Sequence, residues 1–108
     1  MIQPMKSCIT CGMPLEGDHA GDVGMETADG LVCKFDSKDG VIKSGTEIFH
    51  GGVEYFTGAA AGRDRALAER LTRRNMKDLP YWQARHFPEL DGETSDDAEF
   101  GAAMAKLQ

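Results

Sequence analysis

The sequence predicts a small α+β fold, with short hairpin strands in its first 43 residues and about three helices after them. Three observations carry this. Glycines and turn-forming pairs cut the first 43 residues into apolar runs too short for helices. From Ser44 onward, apolar residues recur at helical spacing. A length of 108 residues leaves room for a single domain, 1–108.

The strands come first. Val23 to Thr27 reads as a short strand, Asp29-Gly30 as the hairpin turn and Leu31 to Cys33 as the return. Val41 to Lys43, after Gly40, offers a third short strand.

The helical portion, 44–108, opens at Ser44-Gly45-Thr46-Glu47, which has the S-x-x-E form of a capping box. Ile48, Phe49, Val53 and Phe56 follow at helical spacing. Gly51-Gly52 weakens this helix by roughly 1 kcal/mol per glycine relative to alanine, so a hairpin over 45–57 competes with it. After Gly62, a helix from Arg63 to Lys77 turns Ala66, Leu67, Leu71 and Met76 inward. Asp78 through Phe87 is a short helical or turn piece in which Tyr81 and Trp82 supply aromatic core. The last helix places Phe100, Ala103, Met104 and Leu107 on one face, capped by Thr94 or Ser95 with Asp96 and Asp97 in its first turn.

The chemistry lies in Cys8-Ile9-Thr10-Cys11-Gly12-Met13-Pro14 and in Cys33 with Asp36, a C-x-x-C-G and a C-x-x-D turn. A gap of two residues lets one tight turn aim two side chains at one metal ion, and two such turns give four tetrahedral ligands. Gly12 permits the bend after the second ligand, because it accepts a positive φ without a Cβ clash. Gly12 and Pro14 argue against a redox C-x-x-C, which opens a helix at its first cysteine. The spacing therefore marks Cys8, Cys11, Cys33 and Asp36 as ligands of one zinc ion, with carboxylate oxygen an accepted zinc donor. His19 and His50 are the rival fourth ligands, and His86 is a third histidine to place.

C-I-T-C-G-M-P-L, the later D-G-L-V-C-K-F and the closing D-G resemble the zinc-ribbon family of small bacterial and archaeal proteins over residues 6–43. The resemblance implies a zinc-binding ribbon module with Cys8, Cys11 and Cys33 at three ligand positions. It implies no defined activity. The chain departs from the family pattern where Asp36 stands in place of a fourth cysteine, followed by Ser37 rather than glycine.

Charge narrows the function classes. The net charge is −6, yet residues 63–77 carry six basic residues against two acidic ones, between flanks of −5 each. Arg63, Arg65, Arg70, Arg73, Arg74 and Lys77 are expected to pair with the acidic C-terminal segment rather than with nucleic acid, since no aromatics are interleaved with them. An odd cysteine count fits reduced thiols, and no stretch approaches the ~20 apolar residues of a membrane span, which points to a soluble cytoplasmic protein. The function expected is a small non-enzymatic module with one structural zinc per chain, acting through protein partners as an adaptor or regulator. Two alternatives stand beside it: a nucleic-acid-binding ribbon using helix 63–77, and a zinc enzyme with an open coordination position and Asp36 as base.

Overall fold

Two antiparallel hairpins precede four α-helices in the computed structural model, which describes residues 6–107. Met1 to Met5 and Gln108 lie outside them. Strands β1 (Val23–Thr27) and β2 (Gly30–Cys33) pair with Thr27 opposite Gly30 and Val23 opposite Cys33. Ala28 and Asp29 therefore make the turn, and Gly30 already belongs to β2, one residue off the expected Asp29-Gly30 corner. The Thr27 hydroxyl fixes that turn, accepting from the Asp29 N–H at 3.1 Å and donating to the Gly30 carbonyl at 2.9 Å.

The third strand expected at Val41 has a partner that the sequence reading left as loop. β3 (Ser37–Lys38) and β4 (Val41–Ile42) form a second hairpin around Asp39 and Gly40, with φ of 54° and 78°. Positive φ at both central residues is the turn whose twist suits a two-residue hairpin.

Helix α1 (Gly45–Ala59) settles the choice over 45–57 in favour of the helix. Ser44 caps it by accepting from the Glu47 N–H. The Glu47 carboxylate meets the Ser44 hydroxyl rather than its backbone N–H, so the box is not reciprocal. Gly52 earns its place in the helix by packing: a Cβ there would lie 2.7 Å from Thr72 Cγ2 on α2. Helix α2 (Arg65–Lys77) begins two residues later than expected, because Asp64 caps it and Arg63 takes φ of 70°. Ala66, expected inward, is exposed, while Ala68 and Thr72 are buried with the expected Leu71 and Met76. A short helix α3 (Pro80–Gln83) carries Trp82 into the core. Helix α4 (Asp97–Lys106) is capped by Asp96, not by Thr94 or Ser95, through a full capping box with Glu99. Ser95 is buried instead.

The helical core gathers Ile48, Phe49, Val53 and Phe56 of α1 against Ala68, Leu71 and Met76 of α2, closed by Trp82, Phe87, Leu90 and Ala103. A smaller cluster of Cys8, Leu15, Val32 and Cys33 lies under the strands, and partly buried Ile42 packs against both. No helix among the described residues is long and apolar enough to cross a membrane.

Candidate metal centre

The first turn is shaped by its own backbone. Gly12 N–H donates to the Cys8 carbonyl at 2.8 Å and Cys8 N–H to the Met13 carbonyl at 2.9 Å, which closes a loop with both side chains on one side. Gly12 has φ of 80°, the positive value the turn requires. Ile9 N–H donates to the Leu31 carbonyl at 2.9 Å, fastening this loop beside β2, the strand that ends in Cys33. The second turn repeats the design: Asp36 N–H donates to the Cys33 carbonyl at 3.2 Å, and Lys43 N–H to the Asp36 carbonyl at 2.8 Å.

These two turns converge. One donor atom from each of Cys8, Cys11, Cys33 and Asp36 lies within 4.8 Å of the other three. No other group of three or more His, Cys, Asp or Glu residues is so placed among the described residues. Cys8 and Cys33 are wholly buried and Asp36 is 8% exposed. Cys11 Sγ stands 3.7 Å from Cys33 Sγ, far beyond the roughly 2.05 Å of a disulfide, and all three thiols are free. Such a set of donors can hold a metal ion.

Electrostatics explains why it favours a cation. Burial raises the Asp36 carboxyl above its usual range, since nothing cationic compensates the desolvated charge. Cys11 is pushed far up by Cys33 and Cys8 and then by burial, while Cys8 is pushed far down by its contacts with the Cys11 and Cys33 thiols. Cys33 is drawn down by Cys11 but raised by Cys8 and by burial, and settles at about 12. A divalent cation held by these donors would displace thiol protons, because cysteine binds metal as the thiolate.

The three histidines lie elsewhere. His19 contacts Asp22 at 3.0 Å and His86 contacts Asp91 at 2.8 Å, both exposed, and exposed His50 packs edge-on to Phe49 on α1. None belongs to the group of four.

Sequence reasoning missed three contributors. Thr10, fully buried between the first two cysteines, donates from Oγ1 to Asp36 Oδ2 at 2.7 Å and lies 3.0 Å from Cys8 Sγ. Trp82 donates from Nε1 to the Thr10 carbonyl at 2.9 Å, and Asn75 from Nδ2 to the Cys11 carbonyl at 2.8 Å. A hydroxyl inside C-x-x-C was a visible signal for the first. Nothing local signals the others, which lie 72 and 64 residues from their partners.

Three arginines of the basic helix engage the C-terminal segment, while Arg65, expected to do the same, pairs instead with Glu54 of α1 at 3.1 Å. Arg70 pairs with Glu99 at 2.9 Å and Arg74 with Asp97 at 2.6 Å, while Arg73 donates to the Glu89 carbonyl at 2.7 Å. Comparison with known proteins adds no relative: no family model, no curated protein and no solved structure matches the chain.

Proposed function

We propose that the chain is a small zinc-binding protein in which one structural zinc, held by Cys8, Cys11, Cys33 and Asp36, orders a ribbon that contacts other proteins. The observation that carries this is the convergence of four donors, three of them buried. Two thiolates about 2.3 Å from one tetrahedral ion stand ~3.8 Å apart, and the Cys11–Cys33 separation is 3.7 Å. Three thiolates and a carboxylate would fill the coordination sphere, and the burial of Cys8, Cys33 and Asp36 leaves little access for substrate. That supports a structural ion over a catalytic one. The resemblance of residues 6–43 to zinc ribbons supports the same ion. Free thiols suit a reducing, cytoplasmic setting.

For the contact role, the support is Phe35. It lies between ligands Cys33 and Asp36 yet is 57% exposed, and Val41 on the neighbouring hairpin is 66% exposed. Ordering the second turn would therefore also present Phe35. The arginines of α2 favour the adaptor over a nucleic-acid binder, because Arg70, Arg73 and Arg74 already hold the C-terminal segment.

The test is metal content. Protein purified under reducing conditions is expected to carry one zinc per chain by elemental analysis. A folded, metal-free protein with three titratable thiols that takes up no zinc would overturn the reading.

A further inference from the structure

The geometry points to Thr10 as the positioning residue of the metal centre, anchored there by Trp82 of the helical half. This rests on the metal reading above and adds that the ribbon does not build its site alone. The Thr10 hydroxyl has a single hydrogen, and its 2.7 Å contact commits that hydrogen to Asp36 Oδ2. Asp36 is the one non-thiol among the four donors, and the Thr10 contact is its shortest, the Cys8 Sγ lying 3.8 Å from the same Oδ2. A buried donor on one of its oxygens restricts how the carboxylate faces the three sulfurs and stabilises its anionic form.

Thr10 is itself held. Its side chain is wholly buried and its carbonyl accepts the indole N–H of Trp82, which is 6% exposed within the helical core. Asn75 holds the next carbonyl, that of Cys11, from α2. Two consecutive grips from the helical half thus meet at adjacent residues of the first turn. Loss of the Trp82 indole N–H leaves the buried Thr10 carbonyl without that donor.

The experiment uses the full chain with T10V, T10S and W82F, measuring zinc affinity by chelator competition and the visible absorption of the cobalt(II)-loaded protein. T10V keeps volume and removes the hydroxyl; it is expected to weaken zinc binding about 10- to 100-fold, the usual effect of losing such an outer contact. Its cobalt bands should shift as the carboxylate loses its fixed orientation. T10S keeps the hydroxyl and should restore both readouts. W82F keeps an aromatic ring without the N–H and should weaken binding about fivefold, the equilibrium equivalent of one hydrogen bond of about 1 kcal/mol. T10V within twofold of wild type, with unshifted bands, overturns the inference, as does T10S falling as far as T10V. Should T10V fail to fold, W82F decides: wild-type affinity there overturns the inference. A wild-type chain that takes up neither zinc nor cobalt overturns the metal reading itself, a distinct outcome.

Discussion

The strand-rich half and the helical half bury themselves by different means. Under the strands, the buried apolar cluster consists of Cys8, Leu15, Val32 and Cys33, and two of those four are candidate ligands. The helical half instead packs Phe49, Phe56, Leu71, Met76, Trp82 and Phe87 into a continuous core. A module of about 40 residues without a core of its own is below the size at which burial alone sustains a fold. The lesson is that helices presenting whole faces build an apolar core, whereas short strands gather a small cluster in which donor atoms take the place of large side chains. The boundary between the halves is not a hinge of independent units, since Trp82 and Asn75 reach across it to the metal-turn backbone.

The sharpest way to break the comparison is to remove a ligand. Cys33→Ser should abolish stoichiometric zinc and unfold residues 6–43, because metal binding free energy in such modules is folding free energy. Most far-ultraviolet helical signal should survive, as α1, α2 and α4 have their own core. Loss of all helix on metal removal would show one indivisible unit instead.

The complementary test strikes the other half. Leu71 is fully buried between helices, so Leu71→Ala should cost about 2–5 kcal/mol in denaturant unfolding. Whatever protein remains folded should still carry one zinc per chain. Depletion of zinc in the folded fraction would mean that the helical core sets the site more widely than through Thr10 and Cys11.

Exchanging the odd ligand sharpens the comparison within the ribbon. Asp36→Ala should weaken zinc binding, and Asp36→Cys should retain or tighten it, thiolate being the softer donor. His19→Ala and His50→Ala should leave metal content unchanged. A histidine variant that loses zinc while Asp36→Ala keeps it would reassign the fourth ligand.

A smaller effect concerns α2. The chain should bind duplex or single-stranded nucleic acid no tighter than the non-specific range of about 10⁻⁴ to 10⁻⁶ M at physiological salt. A sub-micromolar, salt-sensitive complex lost on replacing Arg70, Arg73 and Arg74 would overturn the adaptor reading. Replacing Arg74 alone should cost at most about 1 kcal/mol of stability, because its partner Asp97 is almost fully exposed.

The smallest effect is a pH dependence at the edge of the ribbon. His19 and then Lys34 hold the Asp22 carboxyl below the ordinary aspartate value. A depressed native value stabilises the fold above the unfolded value of about 3.9, and that contribution fades as pH falls through the lower native value. Asp22→Asn should therefore flatten the acid limb of the stability curve slightly while leaving the curve above pH 5 parallel to wild type. An unchanged acid limb would show that Asp22 contributes nothing at this solvent-exposed site.

Local rules determined what could be read without coordinates. The spacing of the candidate ligands Cys8–Cys11 and Cys33–Asp36, the bend at Gly12, the first hairpin and the apolar faces of α1 and α4 all follow from interactions a few residues apart. Near-neighbour chemistry also explains the misses at the ends of elements. Asp64 and Asp96 outcompeted nearby residues for the caps, because a carboxylate meets the free N–H groups and the dipole of a first turn together. The pairing of Ser37 with Ile42 was hidden because two-residue strands carry no periodicity to detect. Only the tertiary structure decided that Gly52 lies against Thr72, that Arg70 and Arg74 close on Glu99 and Asp97, and that Trp82 holds the loop of Thr10. Those contacts join residues 20 to 72 positions apart. Their existence depends on how whole helices dock, a free energy summed over the entire core rather than written in any one stretch of the chain.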